Sequence, residues 1–325
     1  MSKPRLTLAC GDYDITRALV DGTVTPQGVD LVTMTYASPQ RHWRMLKHHE
    51  FDISEMSLGS YVAKRSRGDE DLIAIPVFPH RRFRHGYAFL SAAAGVREAA
   101  DLSGRVVGVR SWQTTAGVWL RGILAEHHGL DTSSVRWVAQ DSEDIPLELP
   151  AGLSLELVKS GGNVVDLCAQ GEIAGLIYPE IPGPVLAGDS TIQRLFADPR
   201  RAEQDYFRQT GIFPIMHVVA IRAEVAEQYP WLARNLMDAF EASKAAAFRR
   251  LQDPRTVSLA WLRALQEEER ELLGPDPWHY GFDDLNARVL ETFLGYARDQ
   301  GVASRALTPA ELFHPATVEQ PPAYI

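Results

Sequence analysis

The feature that most constrains this chain is an alternation. Short apolar runs of strand length, at 6–10, 29–35, 72–77 and 87–91, are separated by turn residues and by stretches of helical periodicity. Runs of this kind are buried as strands beneath helices, which makes the chain α/β. The alternation restarts after the turn Asp101-Leu102-Ser103-Gly104, with further runs at 105–109, 135–138, 155–158 and 173–178. A length of 325 residues exceeds what one hydrophobic core ordinarily serves, so the restart reads as a second lobe. After the polar stretch 189–209, the apolar run 213–221 reads as a buried strand returning to the first lobe. The expected organisation is 1–99 with 206–325 as lobe I, including the C-terminal helices, and 100–205 as lobe II. Each lobe is expected to be a mixed sheet flanked by helices.

Local signals place the helices. Ser38-Pro39 opens one over 38–49, since proline suits the first helical turn. Ser111-Trp112-Gln113-Thr114-Thr115 leads into another carrying Val118, Leu120, Ile123 and Leu124, and Gly161-Gly162-Asn163 opens a third. Helices are expected at 223–251, 256–273 and 283–300, with a capping box at Thr308 and Glu311. The apolar faces at Trp231, Leu232, Leu236, Met237 and Phe240, and at Trp261, Leu262 and Leu265, suit either the first lobe or a partner subunit.

A formal charge of −9 argues against general binding to nucleic acid or to an anionic membrane, because both need a cationic face. Nor is any segment apolar for the roughly 18 residues a membrane span requires. The first residues, Met1-Ser2-Lys3-Pro4-Arg5, run into strand 6–10 without a secretory signal, which gives the expectation of a cytoplasmic protein. Cys10 and Cys168 lie far apart in apolar surroundings and read as buried thiols.

In open α/β sheets, ligands sit beyond the carboxyl ends of strands. Five stretches fall there: Gly11-Asp12-Tyr13, Ser54-Glu55-Met56-Ser57 after a strand at 51–53, the loop 78–85, Ser111 to Thr115, and Tyr178-Pro179-Glu180. The loop 78–85 concentrates Arg81, Arg82, Arg84, His80 and His85 in an otherwise acidic chain. Guanidinium groups grip carboxylates through paired hydrogen bonds, so a clamp is plausible there, as is a solvated basic loop; Arg82 is the arginine expected to face outward. Thr114 and Thr115 meet the positive end of a helix, where a polar oxygen could bind or ordinary capping could suffice. His217 inside an apolar run suits a core histidine as well as a catalyst. His80, His85, Glu55 and His217 are metal-ligand types, but no two have metal-site spacing within one element, so no metal is expected.

Phe51-Asp52-Ile53-Ser54-Glu55-Met56-Ser57, Phe78-Pro79-His80-Arg81-Arg82-Phe83-Arg84-His85, Val118-Trp119-Leu120-Arg121-Gly122-Ile123-Leu124, Phe213-Pro214-Ile215-Met216-His217 and Leu307-Thr308-Pro309-Ala310-Glu311-Leu312-Phe313 resemble the 4,5-dihydroxyphthalate decarboxylase family. They extend from residue 51 nearly to the C-terminus. The resemblance implies a two-lobed type II periplasmic-binding-protein-like fold, a homo-oligomer, and cofactor-independent decarboxylation of a small aromatic acid with a protocatechuate-like product. A non-catalytic protein of the same fold that binds an anion or heterocycle is the alternative. Glu180 departs from the family, in which a basic residue is common at that strand end.

For an ortho-dicarboxylated catechol, ionising the hydroxyl para to the departing carboxylate pushes electron density onto the carbon that bears it. The chemistry then calls for a base near the phenol, an acid near that carbon, and a clamp for the retained carboxylate. On this resemblance His217 or His85 is expected to donate the proton and Glu55 or Asp12 to partner the phenol, with Arg81 and Arg84 as the clamp. Tyr13, Ser57, Trp112, Gln113, Thr114, Thr115, Tyr178 and Glu180 are the further substrate-binding candidates.

Overall fold

The computed structural model describes residues 3–318 and contains two sheets. The first is formed by β1 (Arg5–Cys10), β2 (Asp30–Thr35), β3 (Ile53–Ser57), β4 (Leu72–Ile75) and β11 (His217–Arg222), in the order β2-β1-β3-β11-β4. The second is formed by β5 (Ala88–Ser91), β6 (Val106–Val109), β7 (Arg136–Ala139), β8 (Ser154–Leu157), β9 (Gly175–Ile177) and β10 (Ile192–Arg194), in the order β10-β5-β9-β6-β7-β8. Both are mixed. β11 runs antiparallel to β3 and β4 within an otherwise parallel sheet, and β5 runs antiparallel to β9 and β10. The returning run expected at 213–221 thus becomes a strand only from His217, but it lands inside its sheet, between β3 and β4. Its Val218, Val219, Ala220 and Ile221 are fully buried, as a strand covered on both faces requires.

One strand stands in a different sheet from the one expected. β5 pairs with Leu176 and Gln193 of the second sheet, so the first passage between sheets lies between Ile75 and Ala88, ahead of the boundary at 99/100. The second passage lies between Arg194 and His217. An apolar run carries the period of a strand but no mark of which sheet it will join. The short β10, inside the polar stretch 189–209, has little apolar pattern to announce it.

Most helix starts follow their local signals. Ser38–His48 begins at Ser-Pro, Asn163 caps Val164–Ala169 through its side chain, and Thr308 with Glu311 forms the capping box. The helix expected over 223–251 is split into Ala223–Gln228 and Leu232–Leu251, because Pro230 drives Tyr229 out of the helical region. Leu232, Leu236 and Phe240 cover the first sheet, whereas Trp261 is 73% exposed. Leu262–Leu273 begins six residues later than expected.

The two sheets share a continuous apolar cluster that includes Ala74 and Met216 on one side and Val107 and Trp137 on the other. The helix Thr115–His128 ties them together, with Trp119 Nε1 donating to Ile215 O at 2.9 Å. Gly59 admits the closest approach: its N–H donates to Thr115 Oγ1 at 2.9 Å, and a Cβ there would collide with the Gln113 carbonyl. Among the described residues no helix is long and apolar enough to cross a membrane, and Cys10 and Cys168 are buried and unpaired.

Candidate active site

β11 pairs antiparallel with β3 so that His217 lies opposite Ser57. The start of one strand is thereby set at the carboxyl end of its neighbour, at the mouth of the cleft between the sheets. Glu55 stands two residues back along β3 and is fully buried. The sequence expectation ended this strand at Ile53 and left Glu55 in a loop. A carboxylate inside a central strand is tolerated because four groups from three other segments close around it. Tyr13 OH donates to Oε1 at 2.8 Å and His217 Nδ1 lies 2.5 Å from the same oxygen. Gly11 N–H donates to Oε2 at 2.7 Å, and Arg41 Nη2 is 2.7 Å from it.

Burial alone would raise the Glu55 pKa, but the hydrogen bond and charge of His217, together with Arg41, hold it well below the usual carboxylate range. As an ionised acceptor, Glu55 requires the proton on Nδ1 of His217, leaving Nε2 as the free nitrogen of that ring. Burial lowers the His217 pKa, with Arg41 and Arg84 adding to the shift and Glu55 opposing it. Glu55 therefore orients His217 and is itself out of reach.

His217 lines a cavity of about 450 Å³ between the sheets, together with Ser57, Arg84, Gln113, Thr114, Thr115 and Glu180 from the expected set. Arg110, His42 and His80 line it too. Arg84 is 4% exposed, yet among the described residues its guanidinium hydrogen-bonds only to the Met216 thioether, at 2.9 and 3.1 Å, and the Pro179 carbonyl at 3.2 Å, while its carbon lies 4.8 Å from the centre of the Tyr87 ring. Among the described residues no carboxylate pairs with it, and burial pulls its pKa down to about 10. A buried cation with such weak acceptors is a place for an anion. Nearby, Ser57 Oγ and Thr115 Oγ1 are 2.9 Å apart at the first turn of Thr115–His128, where backbone N–H groups point outward. Glu180 lies 3.8 Å from Arg110, so its charge is partly met within the protein.

The other candidates lie elsewhere, for local reasons. Asp12 turns out to Arg17, 2.7 Å away. Tyr13 serves Glu55 and stacks on His80, with ring centroids 5.9 Å apart. Arg81 is buried with both terminal nitrogens taken by Phe213 O, His279 O and Asn286 Oδ1, its Nε alone being unpartnered among the described residues, and it faces a different hollow. His85 is fully buried against Phe196, Tyr206 and His128, and among the described residues neither of its ring nitrogens has a hydrogen-bond partner. Trp112 is core, with Arg121 stacked 3.6 Å above its ring. The Tyr178 hydroxyl accepts from Arg110 Nη1 at 3.1 Å. Arg82 is exposed, as expected. Two larger hollows, of about 670 and 660 Å³, flank Leu262–Leu273. Their rims carry exposed ion pairs such as Arg200 with Glu268, whereas the smaller cavity holds the buried, under-partnered groups that mark a ligand site.

Arg41 and His42 were absent from the sequence expectation. Both sit on the buried stripe of Ser38–His48, with Met45 and Leu46 one turn on. Polar residues at stripe positions were the available signal. His42, Glu55 and His217 lie close enough to hold a cation, their ligand atoms within 4.8 Å of one another. The donor set does not suit one, because all four acceptor positions of Glu55 are occupied and Arg41 already supplies the positive charge.

Two mixed sheets flanking a polar cleft define a two-lobed fold of the periplasmic-binding-protein type. The aliphatic sulphonate binding protein SsuA of Escherichia coli superposes with a TM-score of 0.56 at 12% identity, covering 95% of this chain and 92% of that one. SsuA of Xanthomonas axonopodis pv. citri, bound to MOPS, gives 0.56 at 13% identity over 97% and 98%. No protein-family model matches the chain. It is 41% identical over 327 residues to a 4,5-dihydroxyphthalate decarboxylase of Comamonas testosteroni, covering 98% of this chain and 99% of the relative. A Pseudomonas putida protein of the same name is 37% identical over 214 residues, 64% of this chain and 83% of the relative. The chain belongs to the 4,5-dihydroxyphthalate decarboxylase family.

Proposed function

We propose that this protein decarboxylates a hydroxylated aromatic dicarboxylic acid such as 4,5-dihydroxyphthalate, releasing CO2 and a protocatechuate-like product. The observation that carries the reading is the pairing, in one cavity, of a carboxylate-oriented imidazole with a buried arginine that lacks an anion. His217 Nε2 takes the proton of the hydroxyl para to the departing carboxylate, and Glu55 stabilises the imidazolium that forms. The phenol-side role expected of Glu55 falls to His217, since Glu55 is enclosed. The ring carbon takes a proton from solvent, its bond to the carboxylate breaks, and the electron pair returns to the ring as CO2 leaves. The phenolate then recovers its proton from His217, so the whole reaction consumes one proton. Arg84, with Thr115 and the helix N-terminus, holds the carboxylates.

The likeness to sulphonate-binding proteins supports the fold alone. Purified protein given 4,5-dihydroxyphthalate tests the activity directly. Stoichiometric CO2 with protocatechuate is the expected result, and saturable binding without CO2 would leave a binding protein instead. The two buried, unpaired thiols agree with a reducing compartment such as the cytoplasm. The homo-oligomer implied by the family resemblance is checked by the solution mass of the protein.

A further inference from the structure

One wall of the cleft cavity is made of imidazoles. His42 and His80 both stand against His217, with ring centroids 4.9 and 4.7 Å from it and planes at 87° and 68°. Nδ1 of His217 is committed to Glu55. Among the described residues no hydrogen bond reaches either ring: Nε2 of His42 and Nδ1 of His80 are shut off from solvent without a partner, while both side chains line the cavity. Leaving a buried polar atom unpaired costs about 1–3 kcal/mol, so a ligand toward which either ring can turn its unpaired nitrogen is favoured over one that offers no partner.

The charge state says what kind of group that is. Burial holds both rings neutral, so each presents one donor and one acceptor nitrogen. A carboxylate only accepts, and the same cavity meets it better with the Arg84 guanidinium. A hydroxyl both donates and accepts, which matches a neutral imidazole on either nitrogen. We infer that His42 and His80 form the subsite for the adjacent pair of ring hydroxyls, turning the substrate so that its reacting hydroxyl meets His217 and its carboxylates face Arg84. This rests on the decarboxylase reading and adds to it the residues that select a catechol acid over an acid lacking the diol.

The test compares protocatechuate, which keeps the diol and one carboxylate, with benzoate, which keeps the carboxylate alone, by titration calorimetry. The wild type is expected to prefer protocatechuate by about tenfold or more. In His42→Phe and in His80→Phe that preference is expected to fall about fivefold, the worth of one hydrogen bond, with benzoate affinity unchanged. His42→Asn and His80→Asn, which keep a donor and an acceptor, are expected to recover part of it and carry the same comparison if a Phe variant does not fold. An unchanged preference in the variants, or equal losses for both ligands, overturns the diol subsite. Absence of CO2 from wild type given 4,5-dihydroxyphthalate would sink the decarboxylase reading, which the two-ligand comparison does not address.

Discussion

Replacing Glu55 by Gln changes one atom, and the structure says which proton that atom controls. The Oε2 side faces two donors, Gly11 N–H and Arg41, so the amide oxygen must take that side. The NH2 group then replaces Oε1 and points at the Tyr13 hydroxyl and at His217 Nδ1. Tyr13 can turn its hydroxyl and accept. His217 can accept only by moving its own proton to Nε2, which removes the lone pair that faces substrate. Loss of a positioned base is worth about 10²–10⁴ in rate, so kcat/KM for 4,5-dihydroxyphthalate is expected to fall within that range while KM changes little. Stability suffers as well: removing one partner of a buried pair typically costs about 3–5 kcal/mol, and Arg41 is 1% exposed. Steady-state kinetics on folded Glu55→Gln, with the His217 tautomer read from its ring nitrogen shifts by NMR, supplies both measurements. Activity near wild type with the proton found on Nε2 would refute the orienting role.

Arg84→Met is expected to weaken phthalate binding by about tenfold or more while raising the melting temperature of ligand-free protein by about 2 °C, because it removes a buried, weakly partnered cation; a lower melting temperature with unchanged binding would contradict this. Arg41→Gln is expected to move the acid limb of kcat/KM to higher pH. Arg41 is one of the groups lowering the His217 pKa, and the proton-accepting neutral ring exists only above that pKa; a limb that stays or moves down in a pH–rate series would reject the argument. His85→Phe is expected to keep full kcat/KM and an undiminished melting temperature, since neither ring nitrogen has a partner to lose; a collapse of turnover in a folded variant would return proton transfer to His85.

The alternation of apolar runs made the α/β class and most of the strands legible, because burial imposes a period that survives in sequence. Pairing between distant segments leaves no such trace. β5 has an ordinary strand pattern, and only its partners Leu176 and Gln193 say which sheet it occupies. Arg81 and Arg84 are three residues apart in one basic segment and look equivalent. The difference between them is made by Asn286 and the Phe213 carbonyl, which take the terminal nitrogens of the first, and by Met216, a weak acceptor that leaves the second open. Glu55 read as a loop acid because Ser-Glu-Met-Ser lacks an apolar run. Its enclosure depends on Gly11, Tyr13, Arg41 and His217, brought from three other parts of the chain.

The place of β11 between β3 and β4 bears on how the molecule is made. β3 and β4 have no ladder with each other; each hydrogen-bonds to β11, which enters the chain some 140 residues after β4. A nascent chain that has emerged only as far as β10 therefore holds the first sheet as two unconnected pieces, with Glu55 lacking its imidazole. The N-terminal half cannot mature and wait for the rest, so the second lobe has to be threaded out before the first can close, and proton-transfer chemistry becomes available only at that closure.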